Sequence, residues 1–189
     1  MNLEERELRI VKLIADGDRH YERELYGAYA GYLTGVCARY LSDEDDLKDV
    51  VQDSFISVYS ALGSFRYSGK GSLRAWVTRI AVNRALQYLR ERKRFTFVDI
   101  SDFKDDFPES GPELDGLSER EILTLIRKLP PGYRAVFNLH AFEGKSHKEI
   151  AKMMNIKENS SASQYHRAKT MLASMIRNYV IHKQGNCHG

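Results

Sequence analysis

Residues 65–94 read FRYSGKGSLRAWVTRIAVNRALQYLRERKR. The stretch opens on a loop, Tyr67-Ser68-Gly69-Lys70-Gly71-Ser72, that fits neither a helical nor a strand period. A long helical pattern follows, with Ser72 as its N-cap. Leu73, Val77, Ile80, Ala81 and Tyr88 recur at three- and four-residue steps and predict one buried face. At about 100° per residue, Arg79, Asn83, Gln87, Arg90 and Arg94 share a sector beside that face, and the only tryptophan, Trp76, sits at its edge. Glu91 is the only acid of the stretch, among many bases. A basic stripe carrying amide and aromatic groups suits a nucleic acid. Taken alone, the stretch fits a solvated helix face with a core tryptophan better. Arg84 points into the apolar sector, where pairing with an acid inside the domain competes with a contact to DNA.

Toward the N-terminus, Ser42-Asp43-Glu44-Asp45 has the composition of an N-cap followed by an acidic first turn. The helix it starts has an apolar side, Leu47, Val50, Val51, Ser54, Phe55, Val58 and Leu62, and ends at Gly63. Asp45, Asp49, Gln52 and Asp53 take the other side. They read either as a solvated face or as a docking surface for a basic partner helix. An outward row on one helix offers no enclosed shell for a metal ion. Earlier still, residues 3–15 form a short amphipathic pattern on Leu3, Leu8, Val11 and Ile14. Asp16-Gly17-Asp18 breaks it. A second helix runs to about Leu41 with Tyr21, Leu25, Tyr29, Leu33, Val36, Cys37 and Tyr40 inward, and Gly27, Gly31 and Gly35 leave room for a close helix approach.

Toward the C-terminus the character changes at residue 95. Residues 95–116 hold seven acids against one base, Lys104, two prolines and no helical period, the composition of a linker. Helices are predicted over 118–129, ended by Pro130-Pro131, and over 132–142, with Val136 and Leu139 inward. Ser146-His147-Lys148-Glu149 is a capping box opening a short helix, 146–154, with Ile150 and Met153 buried. A turn holding Ile156 leads to a last helix, 160–179, whose inner face is Tyr165, Ala168, Met171, Leu172 and Met175. This is a helix-turn-helix pattern. Ser160, Ser161, Ser163, Gln164, Arg167 and Lys169 supply donors and acceptors where such a helix enters a major groove.

The 189 residues allow one ordinary domain or two small ones, and 29 bases against 26 acids leave a net charge of +3, too little to name a partner. The N-terminus, MNLEERELRI, has no signal-peptide character, and no apolar run nears the ~20 residues of a membrane span. Cys37 and Cys187 lack disulfide-framework or zinc spacing, so Cys37 is read as a core residue and Cys187-His188 as part of a frayed tail. No catalytic triad or metal-ligand cluster stands out. The expectation is therefore no enzyme activity, no cofactor, no metal, no membrane insertion and a cytoplasmic location.

In order, the pieces DDLKDVVQDSFISVY (45–59), SLRAWVTRIAVNRALQYLR (72–90), LPPGYRAVFNLHAFEGKSHKEIAKMM (129–154) and SSASQYHRAK (160–169) resemble the bacterial RNA polymerase sigma factors of the extracytoplasmic-function (ECF) group. The resemblance covers about residues 20–177. It implies an all-α chain of two small helical domains, 1–94 and 117–180, joined by a flexible acidic linker, 95–116, with a disordered tail, 181–189. Asp45, Asp49, Gln52 and Asp53, with Phe55 packing beside them, would dock on the β′ clamp coiled coil of core RNA polymerase. Tyr67, Ser68, Lys70 and Ser72 would take a flipped base of the minus-ten element, and Trp76, Arg79, Asn83, Gln87 and Arg90 would follow the strand. Ser160, Ser161, Ser163, Gln164, Arg167 and Lys169 would read the minus-thirty-five element, with the β flap beneath that domain. An anti-sigma factor is the typical regulator. This chain has Gln87 where members often carry an acid or Asn, Ala162 where they carry a base, and Asn159 where they carry Gly. The rival reading is a stand-alone helix-turn-helix regulator with an N-terminal sensing or dimerisation domain.

Overall fold

The structure, a computed structural model, describes residues 3–92 and 117–185. The expected linker at 95–116, Arg94 and Cys187-His188 lie outside the described residues. Among the described residues every element is helical: α1 (Leu3–Ala15), α2 (His20–Ala38), α3 (Glu44–Ala61), α4 (Ser72–Glu91), α5 (Glu119–Arg127), α6 (Pro131–Ala141), α7 (His147–Met154) and α8 (Glu158–Gly185), with a 3-10 turn at Leu62–Ser64. This is the all-α architecture expected. The chain divides into two compact units, residues 1–91 and 92–189.

In the first unit α4 packs against both α2 and α3, and α1 lies on α2 and touches α4. A helix with neighbours on two sides buries more than one stripe. Val82, Ala85, Leu86 and Leu89 accordingly join Leu73, Val77 and Ala81 in the core, while Ile80 and Tyr88 are only half-buried. α2 stops at Ala38, short of the expected Leu41. The amides of Tyr40 and Leu41 turn back to the Cys37 carbonyl at 2.9 and 3.0 Å, and both side chains seal the core. Burial pushes the Cys37 thiol up to about 12, so it stays protonated and inert at neutral pH. Gly27, Gly31 and Gly35 face solvent, and a Cβ on any of them would meet nothing within 4 Å. Among the described residues no helix uses the close approach these glycines would allow.

In α1 one residue of the expected inward face, Leu8, turns outward. Leu8 is exposed, whereas Glu7 and Ile10 are buried and Val11 and Ile14 are half-buried. A carboxylate goes inside only where its oxygens find donors, and Glu7 finds two backbone amides of the 67–72 loop and α4.

The second unit is built on Leu125, Ile126, Leu129, Tyr133, Ala168, Leu172 and Ile176 from the 119–133 stretch and α8. Two reciprocal capping boxes, Ser118 with Glu121 and Ser146 with Glu149, start α5 and α7. Pro131 stands at the first position of α6, where its missing N–H costs nothing. α7 ends on Asn155 in the left-handed conformation, φ 55° and ψ 49°, and the Ile156 amide returns to the Ala151 carbonyl at 3.0 Å. The position that favours glycine is thus Asn155; Asn159 lies inside α8. Met154, next to the expected Met153, is the methionine that α7 buries. α8 runs on to Gly185, past the expected end at 179 and into the stretch read as a tail. Its extra turns are tied back: the Tyr179 hydroxyl and the Lys183 ammonium each donate to Glu121 Oε1 at 2.8 Å.

Candidate nucleic-acid and polymerase interfaces

The acidic helix α3 begins on Asp43, whose Oδ1 accepts the Asp45 and Asp46 amides at 3.0 Å each. Its outward row is Asp45, Asp49 and Gln52, all exposed. Asp45 also accepts from Lys48 at 3.1 Å. Asp53 lies off this row and receives Arg84 Nη2 at 2.6 Å, which places Arg84 in the internal role weighed for it. Tyr88 donates to Asp46 beside this pair. Phe55 is buried and packs against Tyr26, the rings tilted by 48° with centroids 4.8 Å apart. Two residues that sequence reasoning missed complete the face. Ile56 follows Asp45, Asp49 and Gln52 at helical spacing, and Tyr26 comes from α2; both are exposed. An apolar centre with acids beside it has the make-up of a protein-binding patch.

The 67–72 loop has defined geometry. Gly69 and Gly71 adopt φ of +116° and +80°, conformations that side-chain-bearing residues rarely take. The Ser72 amide donates to the Gly69 carbonyl at 3.1 Å and the Ser68 amide to Ser72 Oγ at 3.3 Å. Ser72 is the first helical residue of α4 rather than its cap. Tyr67, Ser68 and Lys70 are exposed at the loop's surface, and Trp76 is half-buried against Phe65 with ring centroids 5.1 Å apart. Arg79, Asn83, Gln87 and Arg90 form one exposed row along α4. Gln87 is already engaged, accepting from Arg84 at 3.1 Å and donating to Glu91 at 2.8 Å. Arg74 leans over the Tyr32 ring at 4.3 Å.

On the helix-turn-helix the structure sorts the expected readers. Ser163 and Arg167 are exposed, as is Lys169, whose ammonium lies 5.0 Å from the Tyr165 ring centre. Ser160 is half-buried. Ser161 is fully buried, its hydroxyl 3.0 Å from His147 Nδ1, and has no path to a groove. Gln164 is half-buried with its amide oxygen inside the unit, so it does not present both amide atoms to a base. The exposed row of α8 runs through Asn159, Ala162, Ser163 and His166, with Arg167 and Lys169 on its flanks. Behind it the His140 and His147 rings stack at 4.6 Å and 7°. The Tyr165 ring meets His140 edge-on at 4.3 Å. His140 Nδ1 donates to the Lys145 carbonyl at 2.8 Å. These contacts join α6 to α7 and α8.

No helix among the described residues is long and apolar enough to cross a membrane, and no group of three or more His, Cys, Asp or Glu side chains among them could hold a metal ion.

Comparison with known proteins follows the same division. Residues 25–95 match the family described as Sigma-70 region 2, and residues 114–172 match Sigma-70, region 4. The chain is 31% identical over 180 residues to the ECF RNA polymerase sigma-E factor of Haemophilus influenzae, covering 89% of this chain and 94% of that one. It is 30% identical over 190 residues to the RNA polymerase sigma-H factor of Pseudomonas aeruginosa, covering 94% and 97%. A similar fold is found in the sigma factor RpoE of Bartonella quintana, solved in complex with the anti-sigma factor NepR, with TM-score 0.51, 19% identity and coverage of 82% of this chain and 96% of that one. With both sigma regions present in order and relatives matched over almost their full length, the chain belongs to the extracytoplasmic-function RNA polymerase sigma factors, which direct promoter-specific transcription initiation.

Proposed function

We propose that the exposed row of α3, Asp45, Asp49 and Gln52 with Ile56 and Tyr26, is the surface that docks on the β′ clamp coiled coil of core RNA polymerase. The loop at 67–72 and the α4 row of Arg79, Asn83 and Arg90 engage the minus-ten element. Tyr67, Ser68 and Lys70 receive a base displaced from the duplex, whose unstacking costs a few kcal/mol. Asn159, Ser163, His166, Arg167 and Lys169 on α8 meet the minus-thirty-five element. The observation that carries this reading is that one unit presents an acidic row on α3 and a separate basic row on α4, while Arg84 and Asp53 pair between the two helices. Two exposed faces of opposite charge suit two different partners, one of them polyanionic.

The chain contributes binding and positioning, with no chemistry of its own, and works in the cytoplasm, where the polymerase is. The segments 1–94 and 117–180 act as its two functional domains. An anti-sigma protein is the expected regulator, in line with the RpoE relative found with NepR.

Asp49→Lys tests the docking assignment. The substitution reverses a charge on an exposed side chain, so the circular dichroism melt should stay within a degree or two of wild type, because exposed substitutions typically change stability by less than about 0.5 kcal/mol. Affinity for core polymerase should fall at least about tenfold. Unchanged affinity removes α3 as the docking face.

A further inference from the structure

Glu7 stands apart from every surface described above. It belongs to α1, yet only 4% of it is exposed, and a buried carboxylate is retained only where donors satisfy it. Its Oε2 accepts the Gly71 amide at 3.0 Å and its Oε1 accepts the Leu73 amide at 2.7 Å. Those two amides flank Ser72, the first residue of α4. Amides in a helix's first turn have no partner within the helix, and a negative charge there is favoured by the helix dipole. Within the 67–72 loop the Ser72 amide bonds the Gly69 carbonyl and the Ser68 amide bonds Ser72 Oγ, both of them local contacts. The contact from Glu7 spans 64 and 66 residues of sequence. It ties a loop with two left-handed glycines to the body of the unit.

We propose that Glu7 is a positioning residue for promoter opening. By holding the Gly71 and Leu73 amides it fixes the 67–72 loop in the conformation that receives the displaced base. The inference rests on the base-capture reading of that loop. A loop ordered in advance does not have to be ordered at the moment the base arrives, so the interaction with the base is offset less by lost loop freedom. Glu7→Gln keeps the size of the side chain and one acceptor oxygen, but sets an amide NH₂ group against the other backbone N–H.

The test uses full-length chain reconstituted with core polymerase on a promoter selected from a randomised DNA library by the wild-type holoenzyme. Glu7→Gln should keep wild-type affinity for core polymerase and for the closed duplex in the cold. Permanganate reactivity of the non-template thymines in the minus-ten element should fall about tenfold, the scale of one lost charge-assisted hydrogen bond. Preference among the four bases at the captured position should narrow, which a merely structural role would not produce. Tyr67→Ala, measured alongside, should give the same pattern. If Glu7→Gln opens the promoter like wild type, the proposal is overturned. Impaired opening by Tyr67→Ala then leaves base capture standing without Glu7, whereas normal opening by both variants removes base capture as well. If Glu7→Gln instead loses core affinity in the same proportion, or the unit fails to fold, Glu7 serves the fold at large and the proposal is likewise overturned.

Discussion

Ser161 and Arg167 lie within two turns of one another on α8 and have opposite fates. Ser161 is buried against His147, while Arg167 is exposed. Ser161→Ala should therefore lower stability by about 1 kcal/mol, the usual worth of a buried hydrogen bond, and leave minus-thirty-five affinity within twofold of wild type. Arg167→Ala should leave the melt unchanged and lose about 1–3 kcal/mol of discrimination if the guanidinium reads a base; a loss equal on every sequence would mark a phosphate contact. Holoenzyme titrated on matched and mismatched duplexes separates the two. The burial of Ser161 was legible in the sequence, because it shares the Tyr165, Ala168 and Leu172 stripe at helical spacing. Reading residue type ahead of periodicity hid it, and the same habit passed over Asn159 and His166 on the outward side. Asp53 is a harder case. Its separation from the Asp45, Asp49 and Gln52 row follows from periodicity, but its partner Arg84 comes from another helix and no local pattern announces it.

At the scale of elements, α3, α4, α6 and the helix-turn-helix were legible because each carries its own punctuation: Asp43 before an acidic turn, glycines before Ser72, a capping box at Ser146 and Pro130-Pro131 at the start of α6. In α1 the expected inward Leu8 is exposed, and no local pattern announces that Glu7 is buried. That burial depends on amides more than sixty residues away. The length of α8 was misread for the same reason. Its last turns are held by Glu121, which belongs to the capping box of α5 and also accepts from Tyr179 and Lys183. The Lys183 bond, followed by those from Ser118 and Tyr179, holds the Glu121 carboxyl well below its ordinary value of 4.5. The folded chain therefore binds this proton less readily than the unfolded chain does. The stabilisation is complete at neutral pH and is lost as the pH falls through 4.5 and toward the lowered value. Melts of the full chain by circular dichroism should show Glu121→Gln melting below wild type at pH 7, with the gap closing as the pH approaches 3, near the lower end of the carboxylate range. A gap that stays constant with pH would contradict the carboxylate's role.

For the whole molecule, the net charge of +3 conceals its distribution. The first unit displays acids on α3 and bases on α4, and the second displays a polar and basic row on α8. A stand-alone regulator accounts for the helix-turn-helix but leaves the two faces of the first unit without a use, whereas a polymerase subunit that reads promoter DNA uses all three. The all-α, two-unit plan was legible because helical periodicity and breakers recur along the chain. The tie from Glu7 to the loop was not, since it exists only once α1, α2 and α4 have packed together. Run-off transcription with purified core polymerase and a promoter library tests the central claim most directly. The account predicts transcripts only when both chain and core polymerase are present, from templates sharing a minus-thirty-five and a minus-ten element, and none when Asp49→Lys replaces the wild-type chain. Sequence-specific promoter binding by the chain alone, with no transcripts when core polymerase is added, would contradict it.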